Sequence, residues 1–254
     1  MEREEQLLQR RFQDLALMAD KREIALFTDF LNLHEQDLLD RMKKELPDIK
    51  YFTYGGYLDA ERKIICLCGN RYIEDVREIE FPISCLRITP INQKFSDKLN
   101  HRDYLGAVLN LGINRSKIGD IIVNEHESYL FCSLSISSFI MDNLLRIKHT
   151  VVSTSLMEYK DFIYKPNLKK ITGTVSSVRL DSILAVAFKG SRSKLSGLIT
   201  GGKVFVNSKS ILSNSYLLKE NDIVSVRGFG KFIFKGVTNQ TKKGRYSVEI
   251  QLYQ

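Results

Sequence analysis

The sequence has no run that approaches the roughly 20 apolar residues a membrane-spanning helix requires. Its first residues, MEREEQLLQRR, are charged, whereas a secretory signal peptide carries an apolar core after a short basic start. These two absences argue against a membrane span and against secretion. We therefore expect a soluble protein of the cytoplasm that does not bind membranes.

Cysteine is also scarce, with 4 in the chain, and its spacing is wrong for a metal site. A single residue separates Cys66 from Cys68, whereas zinc knuckles place at least two between ligands, and no second pair follows. Cys85 and Cys132 lie in apolar, strand-like runs. The histidines lack paired spacing too: His34, His101, His126 and His149. We expect reduced core thiols, no metal and no cofactor.

Signatures of catalysis are missing as well. Gly55-Gly56 is not followed by the glycines and lysine of a phosphate-binding loop. His101-Arg102-Asp103 is similar to the start of the protein-kinase catalytic loop, but Val108 stands where that loop has its Asn. Asp103 also begins a predicted helix, where a carboxylate is useful as a cap. We therefore expect that the protein is not an enzyme.

Carboxylates are rare in the last third of the chain, although the formal net charge of the whole is only +8. Residues 165–254 carry 16 Lys and Arg against 4 acidic residues, a net charge of +12. The first 164 residues carry 22 against 26, a net charge of −4. A basic surface kept only for solubility would not be segregated in this way. The distribution is typical of a C-terminal module that binds nucleic acid.

The stretch 179–226 predicts two helices followed by a small sheet. Leu180, Ile183, Leu184 and Phe188 have the spacing of an apolar helix face, and Lys189-Gly190 ends that helix. Ser191 is placed to cap a second helix, which Gly201-Gly202 ends. Strands are expected at 204–206 and 222–226, with Asn207-Ser208 as a turn. Two further strands, 232–237 and 246–253, complete the C-terminal sheet.

The polar residues of this module fall at helix starts, turns and strand ends, where a compact fold could gather them on one surface. Such a surface would attract phosphate, and the first-turn amides of the second helix would add donors. Arg192 and Lys194 are expected at its centre. Arg179 has a competing explanation, a structural pair with Asp181 or Asp222. The predicted RNA-binding residues are Arg179, Lys189, Ser191, Arg192, Lys194, Lys203, Asn207, Lys209, Arg227 and Lys231.

This module resembles the S4 RNA-binding domain. The resemblance rests on Arg179-Leu180-Asp181, Ser191-Arg192, Leu198-Ile199 with Gly202, Val204-Phe205-Val206-Asn207, and Asn221-Asp222-Ile223. Ser208 replaces the usual glycine after the Asn, and Asn221 replaces the usual glycine before the Asp. Both replacements suit turns. The resemblance implies that the module binds structured RNA.

The remainder of the chain predicts mixed α and β structure. Residues 1–46 are expected to be helical, and strands follow at 49–54 and 63–68 around a Gly55-Gly56 turn. The three apolar helix faces are Leu7, Leu8, Phe12, Leu15 and Met18, then Ile24, Phe27, Phe30 and Leu31, then Leu38, Leu39, Met42 and Leu46.

The middle of the chain predicts strand, helix, strand, strand, helix, strand, at 83–89, 102–111, 118–123, 129–132, 137–147 and 149–156. This is the order of a ferredoxin-like or RRM-like (RNA-recognition-motif-like) domain. The two central strands lack the glycine–aromatic pattern with which such motifs stack bases, so we expect the topology without that binding mode.

We therefore predict a multidomain α+β protein. The expected parts are an N-terminal α+β domain at 1–76, a ferredoxin-like βαββαβ domain at 77–165, and the S4 domain with a C-terminal β extension at 174–254. Arg227-Gly228-Phe229-Gly230-Lys231-Phe232 imitates the aromatic motif of RNA-recognition strands but follows the S4-like strand. We interpret it as a glycine-bent hairpin whose Arg227 and Lys231 contact RNA.

The whole chain resembles the bacterial YlmH-type S4 proteins. Beyond the S4 residues, this rests on Gly55-Gly56-Tyr57 with Ala60-Glu61-Arg62, on His101 to Ala107, on Leu111-Gly112-Ile113 with Lys117 to Asp120, and on Arg227 to Phe232. The resemblance implies a ribosome-associated protein whose partners are large-subunit rRNA, peptidyl-tRNA and the factors of ribosome-associated quality control. Its implied role is support for C-terminal tailing of stalled nascent chains. We also expect a monomer.

Two alternatives stay open. The first is an rRNA-modifying enzyme of the pseudouridine-synthase type, targeted by the S4 module, with His101, Arg102 and Asp103 near its centre. Enzymes of that type carry S4 at the N-terminus and use a much larger catalytic domain, which disfavours this reading. The second alternative is a cell-division accessory protein, which no feature of the sequence supports.

Overall fold

The computed structural model describes residues 2–70, 79–125, 127–158 and 162–254, without the side chains of Glu2, Phe95 and Arg192. The chain forms two compact units, Met1–Tyr164 and Lys165–Gln254. The predicted boundary between the first two domains, at 76/77, lies outside the described residues, as does His126. The division into three domains stays a prediction. Helices and sheets together confirm the α+β class.

The first unit begins with two helices that pack on a small antiparallel sheet. The sheet has the strand order β1-β3-β2. Phe12, Leu39 and Leu67 are fully buried in the core between these layers. The elements are α1 (Glu2–Arg22), β1 (Ala25–Phe27), α2 (Leu33–Met42), β2 (Lys50–Tyr54) and β3 (Ile64–Cys68).

The predicted second helical face, at 24–31, is wrong. Ala25 and Phe27 pair with Cys68 and Cys66, so this segment is the edge strand β1. Phe30 follows the strand and is fully buried. Over so short a stretch, the spacing of apolar residues fits a helix as well as a strand. The segment forms a strand because β3 provides backbone hydrogen-bond partners for it.

The second half of the first unit confirms the predicted βαββαβ order. Its strands form one antiparallel sheet in the order β5-β6-β4-β8-β7, with the first strand β4 between β6 and β8. Apart from the short edge strand β7, this is the arrangement of a ferredoxin-like sheet. The elements are β4 (Ile83–Pro90), α3 (His101–Leu109), β5 (Ile118–Val123), β6 (Ser128–Ser133), α4 (Ser137–Asn143), β7 (Arg146–Ile147) and β8 (Thr150–Met157).

The helix predicted at 137–147 ends earlier than expected. Leu144 leaves the helical conformation with φ −83° and ψ 75°. Arg146 and Ile147 then pair with Val151 and Thr150 as a tight hairpin. The edge of β8 supplies strand partners for these two residues, and that pairing outweighs their helical spacing.

The second unit packs two helices on a sheet of six antiparallel strands in the order β11-β10-β12-β13-β14-β9. Leu184, Ile199 and Phe232 are fully buried between helices and sheet. The strand β9 was not predicted, and it forms an edge by pairing along β14. The elements are β9 (Leu168–Val175), α5 (Leu180–Phe188), α6 (Arg192–Thr200), β10 (Val204–Val206), β11 (Lys209–Ser210), β12 (Ile223–Val226), β13 (Gly230–Gln240) and β14 (Tyr246–Tyr253).

The predicted turn at Asn207-Ser208 is confirmed. It joins β10 to β11, and both residues have positive φ, 48° and 67°. A two-residue hairpin of this type matches the right-handed twist of its strands. Serine adopts this conformation less readily than glycine because its Cβ approaches the following carbonyl oxygen.

We expect Ser208→Gly to raise the free energy of unfolding by about 0.5–1 kcal/mol, because relief of strain exceeds the greater chain entropy of unfolded glycine. Urea denaturation of the full chain, followed by circular dichroism, measures the difference. Ser213→Gly, in a loop, is the control and should not stabilise the protein. A lower midpoint for Ser208→Gly would contradict the assignment of strain.

The four cysteines are unpaired and buried, which confirms their prediction as core thiols. Burial raises the pKa of Cys66, Cys85 and Cys132 to about 12, so these thiols remain protonated at neutral pH. Within the described ranges, no helix combines the length and apolar character that a membrane crossing requires.

Candidate nucleic-acid interface

The turn between α5 and α6 is fixed against the hairpin that joins β12 to β13. Phe188, the last residue of α5, meets the ring of Phe229 edge-on at 5.7 Å and that of Phe232 at 5.8 Å. Lys189 then ends the helix in the left-handed conformation, with φ 50°. The buried Phe232 ring therefore anchors both the helix end and the hairpin.

The hairpin itself depends on two glycines. Gly228 and Gly230 have φ 83° and 129°, values that side chains disfavour, and they place Phe229 between them at the tip. Phe229 is 40% exposed. The backbone N–H of Arg227 donates to the carbonyl of Lys203 at 2.9 Å, which joins the hairpin to the start of β10.

These contacts bring several predicted site residues to one end of the unit. The Lys194 ammonium lies 5.6 Å from the centre of the Phe229 ring. Arg192 begins α6 beside them, and its side chain lies outside the description. We call this end the helix–hairpin surface, formed by the exposed residues Lys189, Ser191, Lys194, Lys203, Arg227 and Phe229.

Ser191 occupies the cap position of α6, but the predicted capping bond is absent. Its hydroxyl lies 3.4 Å from the hydroxyl of Ser193 instead of accepting from the first-turn amides. The turn is exposed, so water or a ligand can satisfy those amides and the side chain need not. The helix start therefore offers donors to an anion next to Lys194.

Two predicted residues have structural partners elsewhere in the unit. Arg179, at the start of α5, makes a two-pronged ion pair with Asp181 at 3.2 and 3.3 Å. Asn207 donates to Asp222 at 2.8 Å and accepts from the N–H of Ile223 at 2.9 Å. The competing explanation for Arg179 is thus realised with Asp181. Both residues therefore help to shape the fold, and their predicted contact with RNA stays a prediction.

Lys209 and Lys231 also lie apart from the helix–hairpin surface. Lys209 is exposed on β11 and pairs with Val206, at the end of β10 remote from Lys203. Lys231 projects from β13 on the sheet face opposite the helices, with its ammonium 4.7 Å above the ring of Tyr253. An RNA contact at either lysine would need a ligand that reaches beyond the surface described above.

The carboxylates of this unit lie away from the helix–hairpin surface. Asp181 pairs with Arg179, and Glu249 pairs with Lys170 at 2.7 Å. Asp222 accepts from Asn207 and from the N–H of Lys219. No acidic residue occurs in 182–219 or in 223–248. The surface is therefore strongly cationic, and we expect it to attract polyanions.

In the first unit, the sheet face that an RNA-recognition motif would use is covered. Leu86 and Leu130 point to α3 and α4, whereas Tyr129 and Phe131 point to the opposite face. There Tyr129 is only 9% exposed and Phe131 is fully buried against residues of the N-terminal half, among them Phe30. Base stacking on these strands is therefore closed off, in agreement with the expected absence of that binding mode.

A polar network fastens the N-terminal half to this sheet. Asp120 on β5 accepts from the Tyr57 hydroxyl at 2.9 Å and from the backbone N–H groups of Glu61 and Arg62 at 2.7 and 3.1 Å. The Arg62 guanidinium donates to the carbonyls of Ile118 and Phe30, both at 2.8 Å. Burial and the Asp120 carboxylate raise the pKa of Tyr57 well above its usual range.

The segment that contains Tyr57 also requires a glycine at position 56. Its φ is 98°, and an added Cβ would lie 2.2 Å from the Phe131 ring. Only glycine allows the backbone to approach the buried ring so closely. Several residues of the resemblance to YlmH-type proteins, Gly56, Tyr57, Arg62 and Asp120, are therefore explained by packing inside the first unit.

Asp103, the focus of the enzymatic alternative, also has a structural role. Its carboxylate accepts from the N–H of Asn100 at 2.9 Å, closing the capping box that begins α3. It also pairs with Lys148 at 2.8 Å. The hydrogen bonds from Lys148 and Asn100 lower the pKa of Asp103. In the described ranges, no group of three His, Cys, Asp or Glu is arranged to hold a metal ion.

Phe229 is the residue of this surface that the sequence prediction missed. The Gly-Phe-Gly string between Arg227 and Lys231 was the available signal, because an aromatic residue framed by glycines and cations suits base stacking. From the sequence alone, the string predicts only a hairpin with two basic contacts. The packing of Phe188 and Lys194 around the ring could not be inferred from it.

Comparison with known proteins identifies two domain families along the chain. Residues 77–161 match the family described as "Putative RNA-binding domain in YlmH", and residues 178–224 match the S4 domain. A solved structure titled cell division protein ylmH from Streptococcus pneumoniae superposes with a TM-score of 0.51 at 23% identity, over 63% of this chain and 95% of that one. That likeness shows a shared fold.

A relative from Bacillus subtilis (strain 168), named ribosome-associated protein quality control protein P2, is similar along most of its length. It is 31% identical over 228 residues, which span 88% of this chain and 86% of the relative. Identity at this level over most of both sequences, together with the two domain matches in their expected order, confirms the resemblance. The chain belongs to the family of YlmH-type S4 proteins.

Proposed function

We propose that this protein is a non-catalytic RNA-binding factor of the ribosome, held on RNA by its helix–hairpin surface. The observation that carries the proposal is the grouping of Lys189, Lys194, Lys203 and Arg227 around an exposed Phe229. Cations at an open helix start suit phosphates, and the aromatic ring suits a base or ribose. The name of the Bacillus subtilis relative points to the ribosome.

The ligand we propose is rRNA of the large ribosomal subunit together with the adjoining peptidyl-tRNA. A surface that offers cations, backbone amides and one ring reads the shape of structured RNA more than its sequence. By holding the tRNA in the peptidyl position, the protein would support successive additions to the C-terminus of a stalled nascent chain. In this role it acts in the cytoplasm with other factors of ribosome-associated quality control.

Salt should weaken this binding steeply. If about six phosphates are neutralised, affinity falls on the order of a thousandfold between about 50 and 200 mM salt, because each contact releases counterions. Filter binding of the full chain to large-subunit rRNA across that range measures the slope. A slope near zero would contradict a phosphate-binding surface.

Sedimentation tests the ribosomal part of the proposal. The tagged protein is expected to travel with purified large subunits that carry peptidyl-tRNA and to a smaller extent with empty large subunits. Small subunits are the control. Equal recovery with small subunits would show general RNA binding without a preference for the large subunit. Crosslinks from positions 194 and 229 to rRNA or tRNA would support the proposed orientation.

A further inference from the structure

The ribbon formed by β13 and β14 ends in a basic turn at 241–245. This turn is a closed structure: the Thr241 N–H donates to the carbonyl of Arg245 at 2.7 Å, and the Arg245 N–H donates to the Thr241 hydroxyl at 3.1 Å. Gly244 adopts φ 74°, a conformation that suits glycine. The turn is therefore held in one shape by its own hydrogen bonds.

Three cations project from this turn. Lys242, Lys243 and Arg245 are all exposed. Arg245 donates one guanidinium N–H to the carbonyl of Thr174 on β9 at 3.1 Å, which positions it beside the neighbouring strand. Residues 223–248 contain no Asp or Glu, and Glu249, the carboxylate that β14 carries, is paired with Lys170. We call the residues 241–245 the ribbon tip.

The ribbon tip and the helix–hairpin surface lie at opposite ends of the sheet. Strand β13 runs from Gly230, beside the Arg227 hairpin, to Gln240, next to the tip. Its length places the two cationic surfaces on the order of 30 Å apart at about 3.3 Å per residue. Irregular pairing around Gly236 and Thr238 bends the ribbon between them. The two surfaces therefore meet different segments of a ligand.

The chemistry of the tip favours RNA over a membrane or a protein partner. Exposed hydroxyl and amide groups on Thr238, Asn239 and Gln240 flank the cations and can bind phosphate or ribose. Val237, 47% exposed, is the large apolar side chain nearest to the tip on β13. A membrane-binding loop needs more apolar anchoring than this, since basic residues alone hold a protein weakly.

We propose that the ribbon tip is a second phosphate-binding site, so that the C-terminal unit holds RNA at two points. This inference rests on the proposed function and adds to it a required length of ligand. An RNA that reaches from the helix–hairpin surface to the tip is bound through both, whereas a shorter RNA occupies one. The distance between the two surfaces also favours a long RNA, such as rRNA, whose backbone extends from the helix–hairpin surface to the ribbon tip.

The test compares a tip variant with a charge-matched control on two RNAs. Lys242→Gln with Lys243→Gln removes two charges at the tip, while Lys219→Gln with Lys235→Gln removes two charges between the surfaces. One RNA is a hairpin of about 20 base pairs, which is longer than the span, and the other is a hairpin of about six, whose A-form stem is shorter than the span. Circular dichroism checks that both variants are folded.

On the long RNA, the tip variant should bind about tenfold more weakly at moderate salt, and its slope of log affinity against log salt should fall by about two. On the short RNA, the tip variant should have the affinity and the salt slope of the wild type. The control variant should have wild-type affinity and slope on both RNAs. Wild-type slope for the tip variant on the long RNA would overturn the inference, as would equal losses on both RNAs.

Two further outcomes separate this inference from the proposed function. Lysine-dependent binding to phosphatidylserine vesicles, with an unchanged RNA slope, would assign the tip to a membrane and overturn the inference while leaving the helix–hairpin surface intact. Failure of the wild type to bind either RNA would overturn the proposed function and this inference together.

Discussion

Replacing Arg227 by glutamate is expected to lower RNA affinity on the order of a hundredfold. Loss of one charge-assisted contact costs about tenfold or more, and the new carboxylate repels phosphate in a segment that otherwise contains no acidic residue. Arg227 is exposed at the hairpin, and its N–H bond to Lys203 uses only the backbone. The substitution should therefore leave the fold unchanged.

The matched control is Lys219→Glu. Lys219 is also exposed, and it precedes β12 whereas Arg227 follows it, so the two positions lie at opposite ends of that strand. The net charge changes equally in both variants, but only Arg227→Glu alters the helix–hairpin surface. Titration with labelled large-subunit rRNA at fixed salt gives both affinities. Equal losses would show that net charge, and not this surface, determines binding.

Phe229→Ala tests the ring within the same experiment. We expect a loss on the order of tenfold, because stacking on an aromatic ring contributes about 1–3 kcal/mol per base. Phe229→Tyr keeps the ring and should restore most of the affinity. If the alanine variant binds as well as the wild type, the charged side chains of the surface determine its affinity and the ring does not contribute.

Replacing Asp120 by alanine is expected to lower the free energy of unfolding of the first unit by about 3 kcal/mol. The change leaves the buried Tyr57 hydroxyl and the part-buried N–H of Arg62 without their acceptor, and unsatisfied buried donors are costly. The exposed N–H of Glu61 also loses its acceptor, but water can replace it there. It also removes a negative charge close to the half-buried Arg62. The N-terminal half should then separate more readily from the sheet face that it covers.

Urea denaturation of the full chain, monitored by circular dichroism, measures this effect as a lower midpoint for the first unit. Asp120→Asn retains one carbonyl oxygen and should lose less stability than Asp120→Ala. Asp142→Ala, at an exposed position of α4, is the surface control and should change stability by no more than about 0.5 kcal/mol. A loss for Asp120→Ala no larger than that of the control would show that the network contributes little.

The two predictions separate the roles of the two units. Below its unfolding midpoint, Asp120→Ala should retain RNA binding through the helix–hairpin surface, since its partners all lie in the first unit. Arg227→Glu should retain wild-type stability and lose affinity.

Asp103→Asn tests the enzymatic alternative. This variant should shift the stability of α3 and leave rRNA chemically unmodified, as in the wild type. A modified nucleotide that disappears in this variant would contradict our interpretation.

The sequence by itself determined the features that depend on neighbouring residues. Helix faces such as Leu180 to Phe188, the Asn207-Ser208 turn and the βαββαβ order all follow from local spacing and turn chemistry, and the structure confirms them. The concentration of cations after residue 165 is likewise readable without coordinates. The match to S4 and YlmH-type sequences added the family, which no periodicity contains.

Only the tertiary structure decided which of the predicted side chains have partners within the fold and which lie together on one surface. It paired Arg179 with Asp181 and Asn207 with Asp222, covered the sheet face around Phe131, and placed Phe229 beside Lys194. It also made a strand of 25–27 and added β9. Each of these depends on pairing between segments far apart in the chain, and local propensity carries no information about such pairing.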